Sequence, residues 1–218
     1  MNQMKLILAA ALTLAAVPTL AAQKAPPEPT TLDRPALLKL ADDYFGALVA
    51  HDPKKVPLAD DIKVVENVKR IKAGEGLWKS ATSGPTQYRI VAADPVSQQV
   101  GGLVILGSDG KPVQFGFRLK VTNGKVVEAE HLVVAIRDPA SPNLQAARPA
   151  FPIEIPFEYA DSRGRMVHIA KSYYDALDEN NGHLAPFASD CERRENGFRT
   201  APFGGPSLGG SGIPGATL

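Results

Sequence analysis

The sequence predicts an α+β fold in which a helix-first, meander-last unit is followed by an incomplete copy of itself. Three observations carry this reading. Leu37, Leu38, Ala41, Tyr44, Phe45 and Leu48 recur three and four residues apart, the period of a helix with one apolar face. From Tyr88 onward the pattern changes to β-branched and apolar runs broken by turn residues. The segment Leu40–Leu48 then returns, in modified form, as Ile169–Leu177.

The elements follow in order. Lys5 precedes an apolar run from Leu6 to Val17, which Pro18 breaks before the small residues Ala21 and Ala22. About a dozen apolar residues are too few to cross a hydrocarbon core, and this arrangement has the form of a secretory signal peptide over 1–22. Cleavage predicts a periplasmic or secreted protein with no membrane partner of its own. The Pro-rich stretch 23–32 reads as a linker. Asp33 is placed to cap the first helix and Pro35 suits its first turn, while His51-Asp52-Pro53 ends it. A short strand over Ile62–Asn67 and a second short helix carrying Leu77 and Trp78 come next. Tyr88–Ala92, Val100–Leu106, Val113–Val121 and Val126–Ala135 read as strands, separated by Asp94-Pro95, Ser108-Asp109-Gly110 and Asn123-Gly124. Asn-Gly accepts the positive φ values of a tight hairpin turn. Residues 33–136 thus form one domain, and 137–156, with five prolines, form a linking segment.

The repeat has an offset of 129 residues and runs without gaps. Its nine identities pair Ala41 with Ala170, Tyr44 with Tyr173, Ala47 with Ala176, Leu48 with Leu177, Pro57 with Pro186, Ala59 with Ala188, Asp61 with Asp190, Glu66 with Glu195 and Asn67 with Asn196. Amphipathic helices share apolar positions by chance, but not the following loop and an Asp-x4-Glu-Asn as well. The second copy, 157–200, is incomplete. The tail 201–218 holds six Gly and three Pro, a composition that predicts disorder rather than a meander. Either the chain is cut short or the second unit has degenerated to a helix and one strand.

Composition excludes several function classes. Lys and Arg number 24 against 23 Asp and Glu, so the net charge of +1 lacks the basic surplus a nucleic-acid binder needs. One cysteine excludes an intrachain disulfide, and the four histidines, at 51, 131, 168 and 183, show no metal-ligand spacing. No nucleotide loop, Gly-x-Ser-x-Gly or His-Glu-x-x-His is present. No cofactor is expected.

The candidate chemistry lies on the strands and on the helix faces that cover them. Alternation puts Glu66 on a face with Ile62 and Val64, so it is either a desolvated pocket acid or base, or an ion-paired group at a solvated strand end. His131 alternates with Val127, Ala129 and Val133; it is either a satisfied core histidine or a general acid or base. In the second copy Arg193 and Glu195 share a face, as a structural salt bridge or as a polar cluster orienting a substrate hydroxyl. Tyr173, the counterpart of Tyr44, is a packing residue or a site hydroxyl. Trp78 follows Gly74-Glu75-Gly76 and either lines a pocket mouth or closes the core. Arg118 reads as a surface residue. If the helix stripe of Ile169, Ala170, Tyr173 and Leu177 is left without a covering sheet, the chain is open to homo-oligomerisation.

The helix Leu40–Leu48, the segment Leu58-Ala59-Asp60-Asp61, the strand end Glu66-Asn67 and Gly74-Glu75-Gly76-Leu77-Trp78 before a meander together resemble the nuclear transport factor 2-like, SnoaL-like superfamily. That resemblance implies a cone-shaped, curved antiparallel sheet wrapped around N-terminal helices, with a pocket for a small molecule. The second copy, from Tyr173-Tyr174-Asp175-Ala176-Leu177 to Glu195-Asn196-Gly197, resembles the second module of a tandem exported family typified by the cofactorless diarylpropane lyase (γ-formaldehyde lyase). It implies a cofactor-independent lyase or isomerase of aromatic compound catabolism. Glu66, His131, Tyr173, Arg193 and Glu195 would be catalytic, and Tyr44 and Trp78 would bind the aromatic substrate. A non-catalytic binding or assembly module of the same fold is the alternative.

Overall fold

The computed structural model describes residues 29–151, 153–188 and 191–201, so the leader, most of the first linker and nearly all of the Gly/Pro-rich tail lie outside the described residues. Helix α1 (Arg34–Val49) begins where expected, the Asp33 carboxylate accepting the Ala36 N–H at 2.8 Å and Pro35 standing in the first turn. It buries Leu37, Leu40, Ala41, Tyr44, Phe45, Ala47 and Leu48. It stops because His51 takes a left-handed φ of 53° and the Asp52 N–H returns to the Ala47 carbonyl.

Strand β1 (Leu58–Glu66) starts four residues before the expected Ile62. Asp60 and Asp61 are exposed, and two carboxylates on the solvent side hide a strand from a hydropathy reading. A tight turn at Asn67-Val68, with φ of 45° and 67°, leads into β2 (Lys69–Ile71). Gly76 then opens α2 (Leu77–Ser80), followed by β3 (Ala81–Ser83), β4 (Arg89–Asp94), β5 (Gln99–Ser108), β6 (Lys111–Thr122) and β7 (Lys125–Ala135). The meander turns Asp109-Gly110 and Asn123-Gly124 have both residues at positive φ, as the sequence required.

The sheet order is β2-β1-β7-β6-β5-β3, with β4 also on the free side of β5. All pairings are antiparallel except β1 with β7, which run parallel and bring Glu66 beside His131. A bulge between Lys120–Val121 and Val126–Glu128 bends the sheet. It also changes the face assignment: Val126, Ala129 and His131 are buried, and Val127, expected on that face, is not. Gly102 allows the sharp curl, since a Cβ there would run into the Ile90 carbonyl of the neighbouring strand.

The sheet wraps α1, and the core lies between them, with Phe115, Phe117, Leu119, Val100, Val104 and Leu106 facing the helix. The architecture is therefore the α+β curved sheet around an N-terminal helix that the resemblance implied. Phe45 stands edge-on to Phe117 with centroids 4.9 Å apart, and Arg89 lies over its other side. Gln98 fixes the helix entry by exchanging both side-chain hydrogen bonds with the Leu32 backbone, at 2.7 and 2.8 Å. On the outer face Arg118 holds Glu128, Glu130 and Gln99 in one network, which suits its reading as a surface residue.

Beyond the linking segment, α3 (Arg163–Asp178) is followed by a 3₁₀ turn (Gly182–Leu184) and a hairpin of β8 (Arg193–Glu195) and β9 (Phe198–Ala201). Among the described residues the second unit thus has two strands, not one, and the Asn196-Gly197 turn between them is the signal that announces the extra strand. Arg163 pairs with Asp94 at 2.6 Å, and Leu144 of the linking segment packs against Gly197. The local geometry repeats that of the first unit at the same offset of 129. Helices start and end at corresponding residues, Arg34–Val49 and Arg163–Asp178. The return bonds Ala50 to Gly46 and Asp52 to Ala47 recur as Glu179 to Asp175 and Asn181 to Ala176. The left-handed residues His51 and Asn67 recur as Asn180 and Asn196, and the hairpin pair Glu66–Lys69 as Glu195–Phe198.

Because Phe45 joins the helix to two sheet aromatics, Phe45→Ala is expected to cost about 3–5 kcal/mol through lost burial and the cavity left behind. Urea unfolding, followed by far-ultraviolet circular dichroism, measures it; a loss below about 1 kcal/mol would mean that α1 does not depend on this contact.

Candidate functional site

Three elements far apart in the chain converge at one point under the sheet. Tyr44 comes from the middle of α1, Glu66 from the end of β1 and His131 from the middle of β7. Tyr44 and His131 are fully buried, while the Glu66 side chain keeps 17% of its surface. The Tyr44 hydroxyl lies 2.8 Å from His131 Nε2, and His131 Nδ1 lies 3.2 Å from Glu66 Oε2. The same Oε2 accepts the Leu77 N–H at 2.9 Å.

The proton assignment follows from the partners. A carboxylate accepts, so His131 carries a hydrogen on Nδ1 and donates to Glu66. The Tyr44 hydroxyl then donates to Nε2. This tautomer gives both imidazole nitrogens and the Tyr44 hydroxyl a partner, and leaves only Glu66 Oε1 without one among the described residues. Burial pushes the Tyr44 phenol well above the usual tyrosine range, and the Glu66 charge adds to this, so it stays a neutral donor. Glu66 is pulled both ways. Burial raises its pKa, but the His131 hydrogen bond and the Leu77 N–H outweigh it and hold the carboxyl below its ordinary range.

The loop after β2 is shaped around this carboxylate. Gly76 adopts φ 61° and ψ −129°, and a Cβ there would overlap both Glu66 oxygens. Gly76 therefore lets the backbone close over Glu66 and present the Leu77 N–H. Trp78, fully buried, stands edge-on to Tyr44 at 5.2 Å between centroids. Its indole Nε1 is buried with no hydrogen-bond partner among the described residues. His51 Nδ1 holds the Trp78 carbonyl at 2.7 Å and so ties the end of α1 to α2.

Of the residues singled out in the sequence, the structure brings Tyr44, Glu66, Trp78 and His131 together. The others form a separate group. Arg193 and Glu195 pair with each other on β8, half exposed. Tyr173 is half-buried on α3, against Phe187 and Tyr174. Among the described residues no hydrogen bond or ion pair links this group to the first, and no cluster of three metal-ligating side chains occurs. The roles of Gly76, the Leu77 N–H and His51 were not recognised in the sequence. The Gly-Glu-Gly spacing before Leu77 was the visible signal for the first two; His51 had none.

A family model described as a domain of unknown function (DUF8021) matches residues 159–215, which covers the second unit and part of the tail. No curated protein matches the chain. Among solved structures, a candidate ketosteroid isomerase from Kribbella flavida is similar at 18% identity, covering 59% of this chain and 96% of that one with a TM-score of 0.39. A candidate polyketide cyclase from Sinorhizobium meliloti is similar at 16% identity, over 43% and 93% of the two chains, with a TM-score of 0.34. A de novo designed protein of the nuclear transport factor 2 fold reaches 20% identity over 50% and 90%, with a TM-score of 0.36.

The lowered carboxyl sets an acid limit on stability. The ionised Glu66 contributes fully above the unfolded pKa of about 4.5, and that contribution is lost as pH falls through the lower folded value. Glu66→Gln is therefore expected to lower stability at pH 7 and to narrow its gap to the wild type as pH falls below about 4.5. Urea midpoints across that fall in pH test this; a constant gap would remove the carboxylate from the account.

Proposed function

We propose that the first unit is an exported, cofactor-independent enzyme acting on a small aromatic molecule, with Glu66 as its proton-handling group. The observation that supports this is the unbroken chain Tyr44–His131–Glu66, which ends on a carboxylate that is partly exposed. Oε2 is fully engaged by His131 and Leu77, whereas Oε1 accepts no hydrogen bond among the described residues. That free oxygen is the atom a substrate hydroxyl would meet. Tyr44 and His131 are too deep to touch a ligand; they position Glu66 and keep it ionised. Apolar surroundings strengthen such an interaction because little water competes for the oxygen.

The finer reading is a carbon–carbon lyase resembling the diarylpropane lyase. In that reaction a general acid assists departure of a benzylic hydroxyl as water, and the phenol gives up its proton to form a quinone methide. A base then takes the proton of the neighbouring hydroxymethyl group. The carbon–carbon bond breaks, formaldehyde leaves, and the electron pair restores the aromatic phenolate. Glu66 Oε1 would take the proton in that second step. An isomerase that moves a proton next to a carbonyl would use the same oxygen.

One observation favours the second reading, a binding or assembly module. A carboxylate held below its ordinary range is a weak base, and it serves well as a fixed acceptor for a ligand hydroxyl.

The experiment is a panel of phenolic diarylpropane diols and aryl ketones, scored by formaldehyde release and by proton exchange, with binding followed by calorimetry. Glu66→Gln is expected to lower turnover by about 10²–10⁴-fold while leaving binding within about tenfold. Tyr44→Phe, which leaves His131 Nε2 buried and unpaired, is expected to cost about 1–3 kcal/mol of stability and a smaller part of the rate. Binding without turnover in the wild type would establish the second reading and end the first.

A further inference from the structure

Strand β1 has little to hold its end where Glu66 stands. Its pairing with β7 keeps one register only from Lys63 to Glu66, after a shift that follows Leu58. The backbone then leaves the sheet, because Asn67 and Val68 take φ of 45° and 67° and Lys69 turns back to pair with Glu66. A strand end with so short a ladder opens locally at little cost unless something holds it. Strand β7 needs no such help, since β6 runs along its other edge and sets Phe117 opposite His131.

Asn67 supplies what the turn removes. Its backbone N–H donates to the His131 carbonyl at 2.9 Å. In a regular parallel ladder the next two bonds would run from the Val133 N–H to the Asn67 carbonyl and from the Lys69 N–H to the Val133 carbonyl. The Asn67 side chain takes both places: Oδ1 accepts the Val133 N–H at 2.9 Å, and Nδ2 donates to the Val133 carbonyl at 3.0 Å. A carboxamide carries the same acceptor and donor as a peptide group, and asparagine also tolerates the left-handed φ. Aspartate suits the φ but offers no donor when ionised, and glycine offers neither group.

We propose that Asn67 is a positioning residue for Glu66. Its amide acts as one further peptide unit of β1 and pins the strand end to β7. The Glu66 carboxyl, one residue back, is thereby kept against His131 Nδ1 at 3.2 Å. Asn67 itself is exposed and acts only through the backbone it holds. Without the amide, the Asn67 N–H alone anchors the strand beyond Glu66, and the carboxyl parts from the imidazole more often. The inference rests on the role proposed for Glu66 only for its bearing on a reaction; where the carboxyl stands does not depend on that role.

The measurement is solvent exchange of the His131 Nδ1 proton, followed by NMR in the isotopically labelled full chain beside the backbone amides of β5 and β6. Asn67→Gly keeps the left-handed turn and removes the amide, and is expected to speed that exchange about tenfold beyond any change in those amides. Asn67→Asp keeps an acceptor for the Val133 N–H but sets a carboxylate oxygen against the Val133 carbonyl. It is expected to speed the exchange as well, and it covers the case in which the glycine variant fails to fold. Asn196→Gly makes the matching change in the left-handed turn of the second unit and is expected to leave the exchange at the wild-type rate. In any turnover the wild type shows, Asn67→Gly is expected to lower kcat with KM held within about threefold. A wild type without turnover counts against the function proposed and leaves the exchange result to decide this inference. An exchange rate unchanged in both Asn67 variants would overturn it. So would a rise no larger than that of the β5 and β6 amides, which marks a general loss of stability, or an equal rise in Asn196→Gly.

Discussion

The parallel pairing of β1 with β7 is the contact on which the first unit depends. It joins residues some sixty-five positions apart, as the Glu66–His131 pair shows, and it turns an open meander into a wrap around α1. Without it β1 and β2 would have no sheet to belong to, and Val64 would lose its cover. The polar chain sits at this seam. Burying a carboxylate, an imidazole and a phenol is unfavourable unless each is satisfied. Here each is, and the arrangement requires helix, strand and loop to be in register at once. A shift of β1 by one residue would turn Glu66 outward and leave His131 Nδ1 unpaired. The hydrogen-bond chain therefore specifies the closure as much as it stabilises it.

The same seam explains what was legible in the sequence. The long helix and the four meander strands announced themselves by period and by Asp-Gly and Asn-Gly turns. These are local signals, and they need no knowledge of the partner element. The alternation around Glu66 and His131 put both on inward faces, but alternation cannot say that two inward residues meet. That depends on a parallel crossover with no local signature. The beginning of β1 was hidden by Asp60 and Asp61, and β2 by Val68, a β-branched residue at a left-handed φ where glycine or asparagine is usual. The hydrogen-bonding role of the Leu77 N–H was invisible because it belongs to the backbone. The bulge in β7 moved Val127 off the face that strict alternation assigns to it.

The two units keep the same local geometry and differ where their surroundings differ. The caps, the 3₁₀ turn and the hairpin survive because their hydrogen bonds are internal to the segment. Packing positions differ: Met166 stands where the first unit has Leu37, Tyr174 where it has Phe45, and Arg193 where it has Val64. Local geometry is kept by local chemistry, whereas apolar identity is kept only while something lies on top of it.

Strand order also sets an order of events. The hairpin of β8 and β9 closes a loop of a few residues and needs nothing from the rest of the chain, so it forms on the timescale of an isolated hairpin. Strand β1, by contrast, leaves the exit of synthesis well before β7 does. Until β7 arrives, α1 and β1 expose their apolar faces and cannot pair, and closing the sheet then pays the entropy of a long loop. Elongation thus carries the first unit through an interval in which its helix is present and its fold is not. In that interval, factors that bind extended apolar segments decide whether closure or association comes first.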